Sequence, residues 1–435
     1  MTAIIGSLLL ILVLFLGSGV WVGLSLMGTG ITMVTIFRDI PIDKLLPQYF
    51  FNILTTSELV ALPLFVIMGE FLFRTNLSRS LFNGLAPWMG LLPGRLLHVN
   101  VVACSIFAAI SGSSAATTQV VGRISLTELL RRGYSRDIAI GSLAGAGTLG
   151  FLIPPSTVMI IYGVLAEESV LRLFTAGFLP GVLLAVLFMG MIMLRTTINR
   201  DLIPESERQL RNASWAVRFA ALKELAPVVF LILAVLGSMY GGFATPSEAA
   251  AVGVFGAILV AGSQGGLNLQ AFRDVALSSM QTCSMIGLII VGATVLGNIT
   301  SFLGIAEFLA EYVAELQLTP FMLIVALTAV YLVLGCFLEG FSMIVTTLPV
   351  VLPLVTAAGF DKVWFGIFLV IVVELAQITP PVGFNLFVIQ GVTGDGIGYI
   401  TRVTMPFVAL MLAFIAFLAL FPEFVLWLPN LLFGA

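Results

Sequence analysis

Charge is scarce in this 435-residue chain: 9% of its residues are Asp, Glu, Lys or Arg, against 60% hydrophobic. A soluble domain carries roughly 25% charged residues, so this composition cannot cover a water-facing surface. Histidine is scarcer still. His98 stands alone, which argues against His-based catalysis and against a zinc site. The three cysteines, Cys104, Cys283 and Cys336, lie in apolar segments without CxxC or metal spacing, and read as small buried hydrophobes. Walker motifs, phosphate-cradling glycine loops and acid pairs at hydrolase spacing are missing as well. The chain is therefore not expected to be an enzyme, and needs no organic cofactor. Any work it does must draw on a gradient.

Long hydrophobic runs fill the space that charge leaves. A spanning helix needs about 20 predominantly apolar residues, and about ten such segments can be counted. A β-barrel would instead show roughly 10-residue alternating strands. The N-terminal MTAIIGSLLLILVLFLG has an apolar core without a basic start, so it reads as a first membrane helix. The expected fold is an all-α polytopic membrane protein. Its most polar stretch, 195–223, reads as a linker with a short surface helix between two halves.

Two of the apolar segments contain paired prolines. Pro154 and Pro155 sit in FLIPPSTVM, and Pro380 and Pro381 sit in QITPPVGFN, 226 residues further on. The same offset carries ISGSSAATT (110–118) onto CFLEGFSMI (336–344), and the amphipathic stretch 79–94 onto 305–320. That is a two-fold repeat. Its organisation reads as 1–96, scaffold helices and an amphipathic arm; 97–166, a re-entrant hairpin and a broken helix; and 167–223, a helix and linker. The second copy follows as 224–320, scaffold and arm, and 321–390, hairpin and broken helix, before a C-terminal helix in 391–435.

Basic residues orient the repeat. With the linker cytoplasmic and 97–130 and 321–355 treated as hairpins, cytoplasmic loops hold fourteen Lys and Arg. External loops hold four: Arg38, Lys44, Arg172 and Lys362. This obeys the positive-inside rule, puts both termini outside and makes the two repeats inverted, a signature of secondary transporters.

In such folds helices break near the bilayer midplane, where freed carbonyls and helix ends bind ions and substrate. Each proline pair removes two N–H donors and pushes the preceding residue out of the α region. A simple kink patched by neighbouring side chains is the competing account, and recurrence at matched positions weighs against it. The first hairpin turns at Ser111, Ser113, Ser114, Thr117 and Thr118, small hydroxyl residues suited to a hard cation such as sodium or to close helix packing. The second turns at Glu339, Gly340 and Ser342. A carboxylate at that depth marks a functional site by default: it could ligate a cation, hold the tip through backbone amides, or titrate. Glu374 reads as a brace for the broken helix, Glu70 as interfacial, and Glu58 and Glu248 as external. Arg123 reads as a snorkelling residue before an anion partner.

SGSSAATTQVVGRI, GAGTLGFLIPPSTVMIIYGVLAEESV, GGFATPSEAAAVGV and ELAQITPPVGFNLFVIQGVTG, in this order, resemble the signatures of the large membrane subunit of tripartite ATP-independent periplasmic (TRAP) transporters. The likeness extends over nearly the whole chain. It implies a sodium-coupled symporter of the elevator type in the bacterial inner membrane, importing a small organic-acid anion such as a C4-dicarboxylate or a sialic acid. It also implies two partners, a separate small four-helix membrane subunit and a periplasmic substrate-binding protein. Glu339 stands where many relatives carry aspartate. Sodium site 1 is expected between Ser111, Ser113, Ser114 and the loop Gly147, Thr148 and Gly150. Site 2 is expected between Glu339, Gly340, Ser342, Gln377, Thr379 and Pro380. Substrate is expected near Ser156, Thr157 and Asn385, where broken-helix N-termini favour a carboxylate. Moving one charge through 100 mV is worth about 2.3 kcal/mol, so a dianion entering a negative interior needs at least two sodium ions to cancel the opposition. A stand-alone sodium/carboxylate symporter is the alternative.

Overall fold

The computed structural model describes residues 1–38, 41–75, 77–209, 213–263, 267–305, 308, 311 and 319–434. Among them every regular element is helical. In a bilayer each backbone N–H and C=O must be satisfied within the protein, and apolar runs of this length do so as helices. Among the described residues six helices are long and apolar enough to cross: Val170–Ile198, Trp215–Tyr240, Pro246–Ser263, Leu269–Phe302, Gly340–Ala357 and Ile397–Leu420. A seventh candidate is the pair Ile42–Leu54 and Ser57–Phe73, bent by 58°. The bend falls where Thr55 and Thr56 turn their hydroxyls onto the carbonyls of Phe51 and Asn52, which competes with the helical ladder.

Each long stretch read as a hairpin is one. Hairpin 1 consists of Leu97–Ser111 and Ser114–Arg131, hairpin 2 of Pro320–Leu334 and Gly340–Ala357. The tip of hairpin 1 turns at Gly112, whose φ of 53° is left-handed. A side chain there would also press on the backbone of Thr157, so only glycine suits the position. Ser113 caps the returning helix by accepting from Ala116 N. Glu339 does the same for hairpin 2, its Oε1 accepting from Phe341 N at 3.1 Å.

Both proline segments break as expected. The first broken helix runs through Arg136–Gly147 and Thr157–Ala166, the second through Lys362–Gln377 and Phe384–Thr393. Both Pro-Pro bonds are cis. The two broken helices lie side by side in opposite directions. Tyr162 Oη donates to Lys362 O at 2.6 Å and Lys362 Nζ to Ala166 O at 3.2 Å, joining the end of the first to the start of the second. Arg136 pairs with Asp395 at 2.9 Å, and Tyr399 donates to Asp137, joining the opposite ends. The inversion inferred from basic residues is thus visible in the packing. It extends to the flanking helices: Val22–Phe37 packs on Leu269–Phe302, while its counterpart Pro246–Ser263 packs on Ala61–Phe73.

Three details differ from the sequence reading. The C-terminal region holds two helices, Ile397–Leu420 and Glu423–Phe433, separated at Phe421 and Pro422. Proline has no N–H to continue the ladder, so the chain stops and restarts there. The linker proper is shorter than 195–223, because helices claim its ends up to Ile198 and from Trp215; Glu205–Gln209 is the short helix within it. The first amphipathic arm is the helix Leu77–Met89, whereas most of its counterpart at 305–320 lies outside the described residues.

Candidate functional site

The hairpin 1 tip enters the break of the first broken helix. Close approach is permitted by Gly150, where a Cβ would overlap the backbone of Ser114. Ser114 Oγ, fully enclosed, lies 3.0 Å from Gly147 O and 2.7 Å from Glu374 Oε2. It also accepts from Asn385 Nδ2 at 2.6 Å. The other oxygen of Glu374 accepts from Phe151 N at 2.9 Å, across the break in the first repeat. One hydroxyl therefore gathers a carbonyl from repeat one and a carboxylate and an amide from repeat two. Buried carboxylates are costly in a membrane, and this one is held by two donors rather than by a cation side chain.

Around this centre, Ser111 Oγ lies 2.8 Å from Thr117 Oγ1, and Thr117 donates to Ser113 O at 2.7 Å. Ser111, Ser113 and Ser114 are thus brought together with Gly147 and Gly150, as the sequence placed them. Thr148 is engaged elsewhere, its hydroxyl donating to Gly145 O at 2.6 Å with Met411 Sδ nearby. Two further oxygens flank the cluster: Thr118 Oγ1, against Gly147, and Asn385 Oδ1, both buried without a partner among the described residues.

The second set is differently disposed. Glu339 and Ser342 are joined, Ser342 Oγ lying 3.4 Å from Glu339 Oε2. Gly340 packs on Phe151 and Val373, and Gly335 on Ala376, so the hairpin 2 tip meets the second broken helix. Gln377 is buried, its Nε2 without a partner among the described residues, and Thr379 donates to its own helix at Leu375 O. Pro380 and Pro381 are exposed, whereas Pro154 and Pro155 are buried. The repeats thus share a plan, and one break is enclosed while the other is open.

The residues expected at substrate serve the tips. Ser156 caps Thr157–Ala166 by accepting from Met159 N at 3.4 Å, and Thr157 donates to Gly112 O at 2.6 Å. Asn385 reaches Ser114. A cavity of about 590 Å³ lies at the far end of the first broken helix, lined by Tyr49, Asn52, Glu58, Glu168 and Asn298 among others, and none of these three residues lines it. The residue undervalued by sequence reasoning is Glu374. Its signal was available: an acid in mid-segment is as telling as Glu339.

Inverted repeats, each bringing a hairpin tip against a broken helix, with buried oxygens converging at the first break, define a secondary-transporter architecture. Residues 9–424 match the tripartite ATP-independent periplasmic transporter family, DctM component, and the chain belongs to that family. It is similar to the C4-dicarboxylate TRAP transporter large permease protein DctM of Pseudomonas aeruginosa, 35% identical over 86% of this chain and 87% of that one. Similarity to the sialic acid TRAP transporter large permease protein SiaM of Vibrio cholerae is 29% identity over 96% of each. In fold alone it resembles the Alcanivorax borkumensis YdaH transporter, with a TM-score of 0.60 at 14% identity over 88% of both chains. The chain is a transport permease and not an enzyme.

Proposed function

We propose that this permease couples uptake of a small organic-acid anion, a C4-dicarboxylate, a sialic acid or a similar compound, to at least two sodium ions by an elevator movement. The hairpins and broken helices form the moving part. The observation that carries the reading is the buried oxygen cluster at Ser114, Gly147, Glu374 and Asn385, contributed by both repeats. Its donors are hydroxyl, carbonyl and carboxylate oxygens, the set a hard cation prefers. Thr118 Oγ1 and Asn385 Oδ1 add two oxygens with no competing partner among the described residues. The tip of hairpin 2, with Glu339, Ser342 and Gln377, is the counterpart for a second ion. The expected partners are a small four-helix membrane subunit and a periplasmic substrate-binding protein, in the bacterial inner membrane with both termini periplasmic.

The test is uptake into proteoliposomes with the small subunit and binding protein present. Replacing external sodium by choline should abolish uptake, and the rate should rise more steeply than the first power of sodium. Ser114→Leu should abolish uptake with the complex still assembled. Unchanged uptake without sodium would sink the coupling. Uptake by this chain alone would favour a stand-alone symporter.

A further inference from the structure

A cleft of about 600 Å³ opens between the amphipathic arm Leu77–Met89 and the returning helix of hairpin 1. The proposed transport cycle makes no use of it. Four arginines line it: Arg79 on the arm and Arg123, Arg131 and Arg132 on or just past the hairpin helix. Glu128 holds Arg131 and Arg132 at 2.8 and 2.7 Å, and Glu207 of the linker takes a second hydrogen bond from Arg132 at 3.1 Å. Arg79 and Arg123 have no ion pair among the described residues, and both are exposed. Two guanidinium groups therefore face one another's element across the cleft with their charge unneutralised. The other walls are the apolar Phe82, Ala86, Pro87 and Ile124, together with the polar but uncharged Asn83 and Thr127.

The depth of the cleft in the membrane can be read from its neighbours. Trp88 follows Pro87 on the arm and packs edge-on against Trp215 and Phe219, with ring centroids 6.1 and 5.9 Å away. Trp215 and Phe219 are 61% and 60% exposed. Arg218 ties the cluster together, its Nε donating to Pro87 O at 3.3 Å and its guanidinium lying 4.9 Å from the Trp215 ring. Exposed tryptophan beside arginine is the pattern of the headgroup layer, where an amphipathic ring has one apolar and one wet side. The basic cleft thus opens at the level of lipid phosphates, on the side that carries the arginine-rich linker.

We propose that this cleft binds the phosphodiester headgroup of an anionic phospholipid, with Arg79 and Arg123 holding the phosphate from two elements and the apolar walls taking the start of the acyl chains. Guanidinium groups suit phosphate because they present parallel N–H donors to two oxygens at once. Basic pockets between membrane helices on the cytoplasmic side are matched to such headgroups. Because the arm and the hairpin are separate elements, a lipid seated between them bridges the two. The inference stands whether or not sodium is the coupling ion.

The test uses the full chain in detergent, titrated with dioleoyl-phosphatidylglycerol, dioleoyl-phosphatidylcholine or inorganic phosphate and read by native mass spectrometry. Phosphatidylglycerol should stay bound where phosphatidylcholine does not. R79Q/R123Q should weaken its binding on the order of thirtyfold, while R402Q, an exposed arginine elsewhere, leaves it unchanged. The melting temperature without lipid reports whether the double variant folds. If it does not, wild-type chain in bilayers decides: brominated phosphatidylglycerol should quench tryptophan emission at a lower mole fraction than brominated phosphatidylcholine. Equal binding of the two lipids, equal quenching, or full retention by R79Q/R123Q overturns the proposal. Displacement of the lipid by an equal concentration of phosphate overturns it too, by making the cleft a free-anion site.

Discussion

The hydroxyl of Ser114 and the carboxylate of Glu374, 260 residues apart in sequence, lie 2.7 Å from one another, both buried. One is the tip of the first hairpin, the other the last turn before the second break. Their contact ties the two repeats together, and several outcomes depend on it.

Replacing Glu374 by leucine removes the side-chain acceptor of the buried Phe151 N–H and leaves it only the poorly aligned Leu149 carbonyl two residues back, while Ser114 can still turn to Gly147 O. An orphaned buried donor costs about 1–3 kcal/mol, so a loss of about 2 kcal/mol is expected in thermal denaturation. Glu374→Gln keeps an acceptor for Phe151 and should cost less than about 1 kcal/mol. Breaking the partly exposed Arg136–Asp395 pair with Arg136→Ala belongs to the same small range. If Glu374→Leu melts with Glu374→Gln, the contact is not what holds the break.

Gly150→Ala puts a methyl group onto the backbone of Ser114, which cannot swing away as a side chain could. Overpacking of this kind costs about 1–3 kcal/mol, and by shifting the tip it should lower uptake at least about tenfold. Gly391→Ala is the control. Nothing lies within 4 Å of a Cβ there, and alanine favours the helix, so stability and uptake should hold or improve. Equal behaviour of the two variants would remove the close-approach argument.

Glu339 starts the returning helix of hairpin 2, so Glu339→Ala should lose about 1 kcal/mol of stability, as removal of an N-cap does. Aspartate and glutamine both keep an acceptor. If the side chain also meets a cation, Glu339→Gln alone should raise the sodium concentration for half-maximal uptake. A sodium dependence identical in the aspartate and glutamine variants would limit Glu339 to capping.

Orientation is open to labelling. In a C104A/C283A/C336A background, Glu167→Cys should react with an impermeant maleimide added to intact cells, and Arg208→Cys should react only after permeabilisation. The opposite pattern would reverse the assignment of the linker to the cytoplasm.

How far the sequence reached can be judged at individual residues. Paired prolines leave no doubt about a break, because two missing N–H donors act locally whatever surrounds them. Gly112 and Ser113 likewise encode a turn and a cap between two apolar runs. Glu374 shows the limit. Its partners, Ser114 and Phe151, come from the other repeat, and no local pattern specifies a contact across 223 or 260 positions. Ser156, Thr157 and Asn385 make the same point. Their chemistry was legible, but that Thr157 holds the Gly112 carbonyl and Asn385 reaches Ser114 follows from packing.

The sequence by itself determined the membrane-bound helical class, the inverted repeat and the positions of both hairpins and both breaks. Each of these is written in composition, period or local backbone chemistry. Only the tertiary structure decided which oxygens converge, that the first break is enclosed while the second is open, and that four arginines from two elements face one cleft. Convergence of this kind depends on how antiparallel elements pack, and that is a property of distances between residues far apart in the chain.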